Sequence, residues 1–92
     1  MRHRARSDDN QQALIDAARQ IGAYVFDVHR LGTGFVDLVV AHQGKTYLVE
    51  VKNGQGRLTP AEQKFHYQMA EAGVETYVWR DVSDVVRDLR AT

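Results

Sequence analysis

The 92-residue chain is long enough for one small domain and too short for two. It has no cysteine, which excludes a disulfide framework, a thiolate zinc site and thiol catalysis, and is typical of a reducing cytoplasm. Its 12 Lys and Arg residues balance 12 Asp and Glu residues, so the total charge does not predict a polyanionic partner. No apolar run approaches a membrane span and no signal peptide is recognisable, so we expect a soluble, unexported, cytoplasmic protein.

The N-terminal residues are basic and include Arg2, Arg4 and Arg6. A short basic arm is typical either of a flexible, solubilising terminus or of a segment that follows a nucleic-acid backbone through phosphate contacts. We therefore predict a flexible arm over residues 1–7, with DNA contacts as the functional alternative. A single domain is predicted over residues 8–92.

The first two elements of the domain are predicted to be a helix and a strand. Apolar residues recur at helical spacing from about Asp9 to Ile21, and Gly22 follows as a C-terminal stop. The apolar stripe consists of Leu14, Ala17, Ala18 and Ile21. The segment from Ala23 to His29 then alternates with a period of two, which is typical of a strand.

A β-hairpin is predicted next. Two segments rich in β-branched and aromatic residues flank a glycine-containing turn, and they cover residues 37–41 and 46–52. If Gln43 and Gly44 form a two-residue turn, the numbers of opposed residues sum to a constant, and Asp37 then opposes Glu50. Because side chains alternate between the faces of a strand, Lys52 shares the face of Glu50. Two carboxylates and one ammonium group are therefore expected to converge.

Opposed carboxylates need a compensating interaction, because like charges directly across a sheet destabilise it. A divalent cation would supply that compensation. The pattern around Asp37 and Glu50 therefore indicates a metal-dependent nuclease site, and hard oxygen ligands favour Mg²⁺ or Mn²⁺. The alternative is a solvated sheet face on which Lys52 forms an ordinary salt bridge with one of the two carboxylates.

Clear helix-start signals follow the hairpin. Thr59 suits the N-cap, Pro60 suits the first helical position, and Glu62 completes a capping box. A strand over residues 74–79 and a short helix capped by Ser83 complete the chain. The predicted order is α-β-β-β-α-β-α, which defines an α/β fold.

Several of these features occur together in a known family. They are Asp37, the Glu50-Val51-Lys52 motif, and the Leu58-Thr59-Pro60 helix start with Gln63. In this order, from about Asp8 to Leu89, the chain resembles the VRR-NUC family of the PD-(D/E)XK nuclease superfamily. The resemblance implies a restriction-endonuclease-like core in which helices flank a central mixed sheet. Small stand-alone members are often phage or bacterial proteins, so it also implies a bacterial or phage-infected cell.

The resemblance implies Mg²⁺- or Mn²⁺-dependent hydrolysis of phosphodiester bonds in DNA, with branched DNA such as Holliday junctions among the substrates. By position, Asp37 and Glu50 would bind the metal ion together with the carbonyl oxygen of Val51. Lys52 would orient the attacking water and stabilise the negative charge of the transition state. Gln63 would hold that lysine, the water or a nearby phosphate.

The chain departs from the family pattern at two positions. Val36 stands where the family has a proline before the aspartate, which changes the entry of the strand and little else. Gln11 stands where members commonly carry a glutamate on the first helix, pointing into the site. An amide oxygen can ligate a metal or hold its water but brings no charge. Candidates for the missing carboxylate are Asp8, Asp9 and Asp16, and the sequence does not choose among them.

Basic and aromatic residues near the second helix complete the predicted site. Arg57 precedes the capped helix and lies close in sequence to Lys52, so it is a predicted DNA contact, as is Lys64 on the exposed helix face. Tyr67 follows Gln63 by one helical turn, and we expect it to pack in the core.

The four histidines match no zinc-binding spacing. We interpret His29 and His42 as ordinary strand and turn residues. His66 is interpreted as a solvated residue of the second helix, with a phosphate contact as the alternative.

Three functional hypotheses follow. The favoured one is an active, structure-selective endonuclease; the second is a catalytically silent DNA-binding or assembly module that keeps the fold, motivated by the uncharged Gln11. The third is a small α/β protein with a surface salt-bridge cluster. For the first, a homodimer is expected, because cutting two strands of a symmetric junction needs two sites related by a two-fold axis. No small-molecule cofactor and no membrane partner are expected.

Overall fold

The computed structural model describes residues 2–90, with side chains from residue 10 onward. The elements follow the predicted order, with a short 3₁₀ turn added after the first strand. Their bounds are α1 Arg2–Ile21, β1 Tyr24–Asp27, the 3₁₀ turn His29–Leu31, β2 Leu38–His42, β3 Lys45–Val51, α2 Pro60–Glu71, β4 Tyr77–Trp79 and α3 Val82–Arg90. The first helix therefore begins before the predicted Asp9, at Arg2, and its end at Ile21 is as predicted.

The four strands form one mixed sheet in the order β1-β2-β3-β4. Strand β2 pairs antiparallel with both β1 and β3, whereas β3 and β4 are parallel. The hairpin register agrees with the predicted two-residue turn, since His42 pairs with Lys45 and Leu38 pairs with Val49. Both turn residues have positive φ, 50° at Gln43 and 81° at Gly44, as a tight hairpin of matching twist requires.

The hydrophobic core lies on one face of the sheet, beneath α1 and α3. The predicted stripe of α1 faces this core, with Leu14 and Ala18 fully buried. The core residues are Leu14, Ile15, Ala18, Ala23, Val25, Leu38, Val40, Tyr47, Val49, Trp79, Val85 and Leu89. Because strand side chains alternate, the neighbour of Val49, Glu50, points to the opposite face, where α2 packs.

Two local predictions are wrong. Asp81, not Ser83, caps α3: its carboxylate accepts from the Asp84 backbone N–H at 3.3 Å, because the helix begins at Val82. Tyr67 is 65% exposed and its hydroxyl donates to Glu71, so it does not pack in the core.

No helix within residues 2–90 combines the length and the apolar character needed to cross a membrane.

The loop before β2 packs closely against the start of α2 at a glycine. Gly34 has φ +83°, and a Cβ atom there would lie 2.7 Å from the carbonyl oxygen of Ala61. Gly44 has nearly the same φ, +81°, but an added Cβ would meet nothing within 4 Å. The two positions therefore separate the effect of backbone strain from the effect of a steric clash.

We predict that Gly34→Ala destabilises the protein more than Gly44→Ala. Both variants lose about 1 kcal/mol from the positive φ, and Gly34→Ala loses roughly 1–3 kcal/mol more through overpacking. Each kcal/mol corresponds to a fall of about 4–8 °C in Tm for a domain of this size. Thermal unfolding of both variants checks this; equal Tm values would show that the loop and α2 are not in close contact.

Candidate active site

Asp37 lies one residue before β2, against the end of β3. Its backbone N–H donates to the carbonyl oxygen of Val49 at 3.0 Å. Its carboxylate Oδ2 accepts the backbone N–H of Val51 at 2.8 Å. The preceding Val36 is fully buried. The backbone and a buried neighbour thus hold the Asp37 carboxylate beside Glu50 and Val51, as the hairpin register predicted.

Glu50 is the only buried charged residue in the part of the chain with described side chains, and its exposed fraction is 1%. Burial, and then the neighbouring carboxyl groups of Asp37 and Glu62, raise the pKa of Glu50 to about 9. Its Oε1 atom has no hydrogen-bond partner among the described residues. The carboxylate form of Glu50 is therefore strongly disfavoured unless a cation comes to this position.

Lys52 forms an ion pair with Glu62, with 2.8 Å between Nζ and Oε1. Glu62 also completes the predicted capping box, because Oε1 accepts the Thr59 backbone N–H at 2.8 Å. Burial alone would raise the pKa of Glu62, but the hydrogen bonds from Lys52 and Thr59 outweigh it and lower that pKa. The capping signal in the sequence identified Glu62, but not its contact with the lysine.

Gln63 has a local partner instead of the predicted one. Its amide donates to the carbonyl oxygen of Leu58 at 3.0 Å, and its side chain is exposed. Successive residues on a helix are about 100° apart, so only one of two neighbours can face the sheet. Glu62 occupies that position and contacts Lys52. A role for Gln63 toward water or phosphate stays a prediction.

The interpretation of His66 as a solvated residue is wrong. His66 lies on the side of α2 that faces the sheet, where it is partly buried, and burial lowers its pKa. Its Nδ1 atom lies 2.6 Å from Thr76 Oγ1, and its Nε2 atom lies 3.7 Å from Glu50 Oε1. Nε2 also has no hydrogen-bond partner among the described residues. The sequence contained a signal for this position, because His66 follows Glu62 by one helical turn and therefore lies on the same face of α2.

A cavity of about 480 Å³ opens beside Asp37, and Gln11 is one of its lining residues. The sequence predicted that Gln11 points inward towards the site. The Gln11 amide donates to Asp27 Oδ2 at 3.0 Å, and Asp27 Oδ1 lies 2.6 Å from His29 Nδ1. The full lining consists of Gln11, Gln12, Ile15, Asp27, His29, Arg30 and Asp37. His29 is thus part of this cavity rather than an ordinary strand residue.

Asp27 is a carboxylate that the sequence analysis did not select. Of the three proposed substitutes for the first-helix glutamate, Asp16 is exposed and accepts from Gln12 at 2.9 Å. The side chains of Asp8 and Asp9 lie outside the described part of the chain. The alternation of β1 carried a signal for Asp27, because it lies two residues after the buried Val25 and so shares the face covered by α1.

The predicted DNA-contact residues have different outcomes. Arg57 and Lys64 are exposed, in the loop after β3 and on α2. The side chains of Arg2, Arg4 and Arg6 lie outside the described part of the chain.

The loop after β3 is held at both ends of its glycine turn. Arg80 donates to the carbonyl oxygens of Gly54 and Gly56 at 2.8 and 2.7 Å. Asn10 on α1 donates to the Lys52 carbonyl at 3.3 Å. These contacts fix the backbone that follows the Glu50-Val51-Lys52 motif.

The described side chains contain no group of three or more His, Asp or Glu residues arranged to hold a metal ion. The oxygen donors that lie together are those of Asp37 and Glu50, with Glu62 occupied by Lys52.

No protein-family model matches the chain, and no curated protein matches it. A solved structure described as a VRR_NUC domain is similar, with a TM-score of 0.75 and 21% sequence identity over 91% of this chain and 94% of that chain. The chain has the fold of a VRR_NUC domain. The resemblance drawn from the motifs is thereby confirmed at the level of the fold, including the mixed sheet flanked by helices.

We predict that Glu50→Gln stabilises the metal-free protein increasingly as the pH rises. The pKa of Glu50 is raised from 4.5 to about 9 in the folded state, so its protonated form contributes stability that is present below pH 4.5 and lost towards pH 9. Glutamine keeps the neutral form, and the gain over the wild type reaches roughly 2–4 kcal/mol at pH 8.

Urea unfolding at pH 5 and pH 8 in the presence of a chelator measures this gain. Glu75→Gln, at an exposed glutamate, is the matched control and should show no such gain. A pH dependence that is identical in the wild type and Glu50→Gln would contradict the burial of an ionisable Glu50.

Proposed function

We propose that this chain is a Mg²⁺- or Mn²⁺-dependent endodeoxyribonuclease that hydrolyses phosphodiester bonds in branched DNA, such as a Holliday junction. The observation that supports it most is the buried carboxyl group of Glu50 beside Asp37, in a VRR_NUC fold and close to the ion-paired Lys52. A buried acid with a pKa of about 9 is costly to keep on a strand, and such groups cluster at functional sites.

The residues present fit a divalent cation. Glu50 Oε1 is buried without a hydrogen-bond partner among the described residues, and Asp37 contributes a second carboxylate next to it. These two side chains would hold the cation, with the carbonyl oxygen of Val51 as the third protein ligand. When bound, such a cation supplies Lewis-acid polarisation of a phosphate and lowers the pKa of a bound water.

Lys52 contributes a positive charge that is already oriented. Its ammonium group is held by Glu62, which is itself fixed by the capping box at the start of α2. A lysine in this position donates hydrogen bonds to the attacking water and to the phosphate oxygens on which negative charge develops. Because the partner of Lys52 belongs to a helix terminus, the ammonium needs little reorganisation when a substrate binds.

Asp27 supplies the carboxylate that the first helix lacks. The neutral amide of Gln11 donates to Asp27, and both line the cavity that contains Asp37. In this proposal the cavity receives the sugar-phosphate backbone next to the cleaved bond. The exposed Arg57 and Lys64 contact phosphates further along the DNA, and Arg2, Arg4 and Arg6 extend that basic surface.

A homodimer is part of the proposal. Tyr24 and Phe26 of the edge strand β1 are 73% and 55% exposed. Their sheet face is the one on which α2 packs, but α2 lies over β3 and leaves the β1 edge open. Exposed aromatic patches are typical of interaction surfaces. Two chains related by a two-fold axis would present two sites to a symmetric junction.

A second candidate function is a silent DNA-binding or assembly module. The uncharged Gln11, and the lack of three metal-ligating side chains in the described part of the chain, favour it. It differs from the nuclease in one measurable respect, because DNA binding would then occur without cleavage.

We predict that the wild type cleaves a labelled four-way junction with Mn²⁺ or Mg²⁺, and that Lys52→Ala lowers the rate at least about 100-fold. Linear duplex, flap and single-stranded DNA test the substrate preference in parallel. Lys45→Ala, at a lysine stacked on Tyr47 and Tyr77 at the far end of β3, is the control and should keep the wild-type rate. Binding without cleavage on every substrate would establish the silent module instead.

We also predict that Asp27→Asn lowers the cleavage rate about 10-fold or more while the protein stays folded. Asparagine preserves the size of the side chain but removes the charge held by Gln11 and His29. Asp16→Asn removes a charge from the exposed surface of α1 and should leave the rate unchanged. Equal rates for Asp27→Asn and the wild type would show that the cavity contributes no carboxylate to the reaction.

A further inference from the structure

Two buried polar atoms face each other between α2 and β3. They are Nε2 of His66 and Oε1 of Glu50, 3.7 Å apart, and neither has a hydrogen-bond partner among the described residues. A separation of 3.7 Å is too long for a direct hydrogen bond, which needs about 2.7–3.2 Å. Leaving a buried polar group unpaired costs about 1–3 kcal/mol. A group that binds both atoms would remove this cost.

The imidazole of His66 is held in a definite orientation. Its Nδ1 atom is 2.6 Å from Thr76 Oγ1, so with Nδ1–H donating to the hydroxyl, Nε2 presents its lone pair to Glu50. Histidines that bind metal ions almost always donate their second ring N–H to a neighbouring acceptor, which fixes the tautomer and the ring plane. The contact with Thr76 provides that arrangement in the tautomer that carries the proton on Nδ1.

One cation can bridge the two atoms after a small movement of the side chains. Nitrogen and oxygen ligands lie about 2.1 Å from a small divalent cation, so two neighbouring ligands are about 3.0 Å apart in octahedral coordination and about 3.4 Å apart in tetrahedral coordination. The observed separation of 3.7 Å is longer than both values. A small cation would satisfy both atoms once they approach each other by less than about 1 Å.

We propose that Nε2 of His66 and Oε1 of Glu50 bind one divalent cation, and that the imidazole makes this site prefer first-row transition-metal ions such as Mn²⁺ to Mg²⁺. This assignment rests on the proposed function, since it specifies the cation of that same site. Mg²⁺ takes oxygen ligands and retains water, whereas transition-metal ions accept imidazole nitrogen. Asp37 and the carbonyl oxygen of Val51 are the other protein ligands of this cation in the proposed function, and water takes the remaining positions.

Isothermal titration of the DNA-free protein tests the preference. For His66→Gln, which retains a polar side chain of similar length, we expect the Kd for Mn²⁺ to rise at least about tenfold and the Kd for Mg²⁺ to change less than about threefold. His42→Gln, at the hairpin turn, is the histidine control and should change neither value. An equal loss of both metals would overturn the assignment, because His66 would then act only by positioning Glu50.

Electron spin echo measurements on bound Mn²⁺ give a direct readout that does not depend on the folding of a variant. Modulation from a ¹⁴N ligand is expected in the wild type and in His42→Gln, and is lost in His66→Gln. Bound Mn²⁺ without nitrogen modulation in the wild type, as a water bridge between the two atoms would give, overturns the proposal, and so does the absence of Mn²⁺ binding.

These outcomes separate the two proposals. Nitrogen-ligated Mn²⁺ without cleavage of any DNA would contradict the nuclease function and support the cation site. Metal-dependent cleavage without a nitrogen ligand would contradict the role of His66 alone.

Discussion

The arrangement of the site depends on one constraint, the burial of a carboxyl group on the central strand β3. Glu50 is 1% exposed, and its burial, followed by the neighbouring carboxyl groups of Asp37 and Glu62, raises its pKa to about 9. An unpaired buried charge costs several kcal/mol, so the folded chain holds Glu50 as a neutral acid or as a carboxylate with a cation. The other parts of the site surround this carboxyl group. They are the end of β3, the N-terminus of α2, and Lys52, whose ammonium group is bound by the Glu62 carboxylate.

The start of α2 connects the local folding signals to the chemistry of the site. The capping box fixes Glu62 on the Thr59 backbone, and the same carboxylate oxygen receives Lys52. Helical spacing then places His66, four residues later, on the same face and 3.7 Å from Glu50. A capping box usually stabilises the start of a helix. Here it also sets the rotation of α2 about its axis. That rotation decides which side chains of α2 reach the sheet.

The sequence predicted the elements of this fold better than the faces they present. A two-residue turn determines the register of a hairpin, so the positions of Asp37 and Glu50 followed from counting. The rotation of α2 depends on the spacing of its apolar residues: Gln63 and Tyr67 were expected to face inward, whereas Glu62 and His66 do, which is a shift of one residue or about 100°. The predicted face was defined by motif matching, although the partly buried Phe65 and Met69 share the face of His66 and indicate the observed rotation.

In the proposed site, a residue distant in sequence compensates for the departure of α1 from the motif. Gln11 and Asp27 are 16 residues apart, and only the packing of α1 across β1 places the amide 3.0 Å from the carboxylate. A glutamate at position 11 would set two like charges at that distance, which the sheet edge could not stabilise without a further cation. The neutral amide and the acid of β1 are therefore a matched pair, and the proposed site has a negative charge on this wall of the cavity. Chains of this fold should therefore be compared at both positions, 11 and 27, because the residue at one position alone does not determine the charge of the site.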